Sequence, residues 1–149
     1  MSGVKNDICA HIDKDFEKAL KEEGSTELPT SAVKWVDDIL AGLHLLHEAG
    51  IVHRDLKPEN VLVDTGGRAK LLDLGLASHF KEAQSSSRLT LPGAVLGTVH
   101  YMSPEQVIGA DVDARSDLYA LGVMLYQWFC GRLPFDGLDP LGVLGQILH

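Results

Sequence analysis

His53-Arg54-Asp55-Leu56-Lys57-Pro58-Glu59-Asn60 is the stretch on which the reading of this chain turns. It sets a carboxylate (Asp55), an ammonium (Lys57) and a carboxamide (Asn60) on one short loop after a long run of helical periodicity. Those groups suit phosphoryl transfer. A carboxylate can accept the proton of an attacking hydroxyl, an ammonium can neutralise phosphate charge, and an amide oxygen can ligate Mg²⁺. An isolated His-Arg-Asp triplet after a helix is ordinarily a capping or salt-bridge cluster. Here the fixed spacing to Asn60, and the segments that follow, favour chemistry.

Upstream, Pro29-Thr30-Ser31 opens a helix in which Val33, Val36, Ile39, Leu40, Leu43 and Leu46 recur at three- and four-residue steps. Gly50 follows its last turn as a C-cap. Earlier still, residues 13–23 read as a short surface helix ending before Gly24. Downstream, Val61-Leu62-Val63 and Ala69-Lys70-Leu71-Leu72 read as a small hairpin around Asp64-Thr65-Gly66-Gly67. Asp73-Leu74-Gly75 comes directly after it. Alone, such a D-x-G run is most often a turn, but after a strand and beyond Asn60 it places a carboxylate where a metal ligand is expected.

Residues 75–98 are irregular, marked by Ser85-Ser86-Ser87, Thr90 and Pro92-Gly93. Ser103-Pro104-Glu105 reads locally as a Pro-initiated helix with an acid in its first turn. Helical pattern returns over Ser116–Phe129, with Ser116 or Asp117 as the expected N-cap and Gly131 and Pro134 as the stop. The apolar run Tyr119–Cys130 reads as a buried core helix, and Leu138–Leu148 as a last helix. Trp35 and Trp128 fall in helices, where core packing or partial exposure is expected rather than ligand stacking. The fold class is therefore mainly α with one small β-hairpin (α+β).

Bulk properties bound the rest. The chain has 149 residues, 45% of them hydrophobic and 23% charged, which is the length and composition of one globular domain. A net charge of −8 argues against a nucleic-acid partner, since such domains carry a basic face. Cys9 and Cys130 form no C-x-x-C spacing and read as reduced thiols. No apolar leader begins the chain, and its most apolar stretch is shorter than the roughly 20 residues a membrane span needs. A cytoplasmic location without a membrane segment is the expectation.

Taken in order, HRDLKPEN, DLG, GTVHYMSPEQ, DARSDLYALGVMLY and GRLPF resemble the C-terminal lobe of a eukaryotic-type Ser/Thr protein kinase, of the sort also widespread in bacteria. The catalytic-loop pattern H-R-D-L-x-x-x-N is met without a mismatch. The resemblance implies a partial kinase domain over residues 13–149 after an N-terminal remnant over 1–12. Within it fall a catalytic loop over 51–60, an activation segment over 73–105, and an incomplete set of C-terminal helices.

It further implies transfer of the γ-phosphoryl group of ATP, with Mg²⁺, to Ser or Thr hydroxyls of protein substrates. Asp55 would be the base, Lys57 the phosphate contact, and Asn60 and Asp73 the metal ligands. Lys57 and Thr98 resemble the pair that marks Ser/Thr kinases. Asp117 resembles an acid bracing the catalytic loop from below, and Arg54 an arginine that receives an activation-loop phosphate. Thr90 is the preferred acceptor of that phosphate, with Ser85, Ser86 and Ser87 as alternatives. Leu74 stands where the family commonly has Phe.

The sequence also lacks parts of the pattern. It has no G-x-G-x-x-G and no V-A-I-K, so the nucleotide-binding N-terminal lobe is missing from the reading. Glu105 would pair with an arginine on a later helix, yet none follows Arg132. These gaps lead to the expectation that the isolated chain has little or no kinase activity. Retention of Asp55, Lys57, Asn60 and Asp73 favours a partial sequence over a natural truncation. The competing function is a non-catalytic kinase-lobe interaction module.

Overall fold

The computed structural model describes residues 30–72, 99–137 and 139–149. The expected helix over 13–23, Asp73, Thr90 and Thr98 lie outside the described residues. These residues form helices with a two-stranded antiparallel sheet and fall into two compact units. Residues 30–51 and 58–72 belong to one, and residues 52–57 and 99 onward to the other. No helix among them is long and apolar enough to cross a membrane.

The first unit begins with α1 (Thr30–Glu48). Its end is a Schellman motif: Ile51 N–H reaches Leu46 O and Gly50 N–H reaches His47 O, both at 2.9 Å. Gly50 sits at φ 72°, where a Cβ would clash with its own backbone, so glycine is the natural residue there. A 3₁₀ turn (Pro58–Asn60) then leads into β1 (Val61–Val63), which pairs with β2 (Ala69–Leu71) in the register Val61↔Leu71 and Val63↔Ala69.

The turn between the strands is built by Asp64. Its Oδ1 accepts from the N–H groups of Gly66 at 2.9 Å and Arg68 at 3.0 Å, and its Oδ2 pairs with Lys70 Nζ at 2.8 Å. The Lys70 ammonium, with the Arg68 and Gly66 amides, holds the Asp64 carboxyl down to about 2.

Helix α1 buries Ala32, Trp35, Ile39 and Leu43. This differs from the face read by periodicity, for Val33 and Leu40 are exposed while Val36 and Leu46 are half-buried. The rotation follows from polar anchors. Trp35 Nε1 donates to Gly67 O at 3.1 Å, and Asp38 receives Arg68 Nε at 2.8 and 2.9 Å and the Ala69 N–H at 3.0 Å. The Arg68 guanidinium beside it holds the Asp38 carboxyl below the ordinary carboxylate range.

The second unit contains α2 (Pro104–Val107), α3 (Ala114–Cys130) and α4 (Pro140–Leu148). Its core gathers Val99, Val143 and Ile147, with Met102, Val107, Tyr119, Phe135 and Leu144 packed against them. Along α3, Ala120, Leu121, Val123, Met124 and Trp128 are buried, while Leu118 and Phe129 are exposed. The helix is thus buried on one face rather than all round.

The N-cap of α3 is Asp113, not Ser116 or Asp117. Asp113 Oδ1 accepts from Arg115 N–H at 2.8 Å, satisfying a first-turn amide that has no partner within the helix. Starting the helix earlier draws Ser116 and Asp117 into its first turn, where both are buried and bonded elsewhere. Gly131 closes α3, with its N–H on Gln127 O at 2.8 Å. Asp139 caps α4 by accepting from Gly142 N–H at 2.8 Å, just before Pro140.

Candidate active site

In the second unit the loop is held by its backbone. Asp117, only 1% exposed at the head of α3, accepts from His53 N–H at 2.9 Å and from Arg54 N–H at 2.8 Å, one amide per carboxylate oxygen. Charge-assisted bonds of this kind are roughly twice as strong as neutral ones. They hold Arg54 at φ 66°, a left-handed conformation rare for a residue with a Cβ. His53 and Leu56 are buried beside it in sequence and anchor the same loop.

Between these anchors stands Asp55, 8% exposed, with Lys57 Nζ 3.0 Å from its Oδ2. His53, Asp55 and Leu56 are buried, Lys57 is half-buried, and the acid and the ammonium meet. Such a pair can hold a hydroxyl at the carboxylate while presenting positive charge to an incoming anion. Arg54 Nε is buried without a hydrogen-bond partner among the described residues.

The first unit carries Asn60. It ends the 3₁₀ turn, is 8% exposed, and accepts Leu72 N–H on its backbone carbonyl at 2.8 Å. Leu72 is the neighbour of Asp73 in sequence, and Asp73 itself lies outside the described residues. An amide oxygen from Asn60 and a carboxylate from Asp73 are hard oxygen donors, the type Mg²⁺ takes. No cluster of three or more His, Cys, Asp or Glu suited to a metal lies among the described residues. A site using one or two protein oxygens with substrate phosphates does not require one.

Glu105 and Ser116 show a pairing that sequence reasoning missed. The Ser116 hydroxyl donates to Glu105 Oε1, which gives this acid a partner on α3 in place of the arginine sought downstream. That bond is the chief reason the Glu105 carboxyl titrates below its ordinary value. Gln106 was also missed. Its Oε1 accepts from Ser103 N–H at 3.0 Å and Ser103 Oγ at 3.2 Å, while its Nε2 donates to Arg54 O at 2.8 Å. The spacing Ser103-x-x-Gln106 is the capping-box signature and could have exposed the first half of this arrangement. Tyr101 is likewise fixed, its hydroxyl donating to Gln127 Oε1 on α3 at 2.6 Å.

A braced His-Arg-Asp loop followed by a short hairpin agrees with what comparison finds. A family model described as the protein kinase domain matches residues 7–145, and the chain belongs to that family. Three of its curated relatives come from bacteria. Serine/threonine-protein kinase pkn2 of Myxococcus xanthus is 47% identical over 121 residues, covering 79% of this chain and 14% of that protein. PksC of Streptomyces coelicolor is 48% identical over 112 residues, covering 75% of this chain and 20% of that one. PknL of Mycobacterium tuberculosis is 42% identical over 120 residues, with 80% and 29% covered. Both bear the name serine/threonine-protein kinase. The chain thus spans only 14% to 29% of the length of these relatives.

Proposed function

We propose that this chain supplies the catalytic-loop portion, the C-terminal lobe, of a Ser/Thr protein kinase that moves the γ-phosphoryl group of ATP to protein hydroxyls. The observation that carries the reading is the Asp55–Lys57 pair, 3.0 Å apart on a loop whose amides are held by Asp117. Asp55 accepts the proton of the attacking Ser or Thr hydroxyl and orients its oxygen. Lys57 lies against the transferring phosphoryl group and balances its charge. Asn60 and Asp73 would hold Mg²⁺, which when bound draws charge from the phosphate oxygens. Burial of Asp55 limits competing water at the carboxylate.

Arg54 serves regulation in this reading. Its buried Nε, without a partner among the described residues, suits a phosphate on the segment that includes Thr90 and Thr98. The relatives' names support the Ser/Thr assignment, and Lys57 with Thr98 is the pair that fits it.

The test is a segment exchange. The matched part of this chain replaces the corresponding stretch of the Myxococcus xanthus pkn2 kinase, and Mg²⁺-dependent transfer from ATP to a basic protein is measured. The exchanged protein should transfer phosphate, and Asp55→Ala within it should lower the rate by ~10²-fold or more. A folded exchange without transfer, or an Asp55→Ala variant as fast as its parent, would refute the reading.

A further inference from the structure

We propose that Gln106 is a positioning residue for Asp55, holding the strained peptide between Arg54 and Asp55 in the orientation that phosphoryl transfer needs. The proposal rests on the kinase reading above and deepens it. Arg54 at φ 66° is held from both sides: its N–H by Asp117 Oδ1 and its C=O by Gln106 Nε2, each at 2.8 Å. A left-handed non-glycine residue persists only where its surroundings over-determine it. Asp117 fixes the amide before Arg54 but touches nothing on the peptide after it in these bonds. The carbonyl of that second peptide is secured by Gln106.

Without that anchor Arg54 ψ is free to change, and any change in it that Asp55 φ does not offset re-aims the Asp55 carboxylate. Gln106 suits the task because a carboxamide both accepts and donates. Its oxygen is committed to Ser103 N–H and Oγ, which orients the amide so that Nε2 faces Arg54 O. One half-buried side chain thereby links the start of α2 to the catalytic loop, 52 positions away.

Two substitutions separate its halves. Gln106→Glu keeps the acceptor toward Ser103 but loses the donor and sets a negative charge against Arg54 O. Gln106→Lys keeps a donor for Arg54 O and loses the acceptor. Amide hydrogen exchange of the full chain is read at His53, Arg54 and Asp55, with the amides of α3 as the internal standard. In Gln106→Glu the loop amides should exchange ~10-fold faster than in the wild type, the scale of one lost charge-free hydrogen bond. In Gln106→Lys they should stay near wild type, while exchange quickens at Ser103, whose N–H loses its acceptor.

In the pkn2 exchange protein, Gln106→Glu should lower kcat with KM for ATP unchanged, and Gln106→Lys should retain most of kcat. Unchanged loop exchange in Gln106→Glu, equal acceleration in both variants, or unfolding of both overturns the proposal. So does an active exchange protein whose kcat ignores Gln106→Glu. If the parent exchange protein transfers no phosphate, the kinase reading fails, and hydrogen exchange still decides whether Gln106 holds the loop.

Discussion

The indole of Trp35 donates from Nε1 to the carbonyl of Gly67 at 3.1 Å, fastening the second turn of α1 to the tip of the hairpin turn. Trp35 is itself 6% exposed, so the same side chain supplies buried surface and a directed bond. Trp35→Phe keeps most of the surface and removes the bond, which should cost ~1 kcal/mol in urea unfolding. Gly67→Ala should cost ~1–2 kcal/mol for a different reason, since Gly67 lies at φ 72° and open space surrounds its missing Cβ. An unchanged midpoint in Trp35→Phe would show that this contact does not stabilise the unit.

Asp117 is expected to be among the most sensitive positions in the second unit. Asp117→Ala leaves the amides of His53 and Arg54 without their acceptor in a buried place, a loss of ~2–5 kcal/mol. Asp117→Asn retains one acceptor oxygen and should lose about half as much. Chemical denaturation of both variants checks the order, and a loss below ~1 kcal/mol for alanine would contradict it.

Acid should loosen the hairpin. The Asp64 carboxyl is held at about 2 against an ordinary 3.8. A depressed folded-state value means that its contribution is complete above the unfolded pKa and disappears as pH falls from about 4 toward 2. Asp38 shifts in the same direction and adds to the trend. In Asp64→Asn the thermal midpoint should vary less with pH across that window. Identical pH profiles for the variant and the wild type would exclude this linkage.

The Ser116–Glu105 bond offers a spectroscopic check. Ser116→Ala removes the main influence that holds the Glu105 carboxyl below its ordinary 4.5. Its titration, followed by the ¹³C resonance of the carboxyl carbon, should move upward toward that value. Stability near neutral pH should fall, and the difference from wild type should narrow in acid as Glu105 becomes protonated. A Glu105 titration unmoved by the substitution would show that the hydroxyl is not its partner.

Much of this arrangement was legible along the chain. Gly50 marked the end of α1, Gly131 the end of α3, and the short apolar runs on either side of Asp64–Gly67 the hairpin. The rotation of α1 was not, because Trp35 and Asp38 set it through bonds to Gly67, Arg68 and Ala69 that a count of apolar spacing ignores. The cap of α3 was misplaced at Ser116 or Asp117 because both carry capping side chains, as Asp113 does. Only the tertiary bonds of Ser116 to Glu105, and of Asp117 to the loop, remove two of them from the competition. Within the candidate site, residue types and order were readable, whereas the link from Gln106 to Arg54 spans 52 positions and leaves no local trace.

The bond from Leu72 N–H to Asn60 O closes the base of the hairpin at 2.8 Å. It sets the two ends of the hairpin side by side whatever the length of the strands, because strand pairing repeats every two residues, while Trp35 and Asp38 hold the tip to α1. The separation between Asn60 and the residue that precedes Asp73 is therefore set by one backbone bond, and is independent of how many residues lie between them.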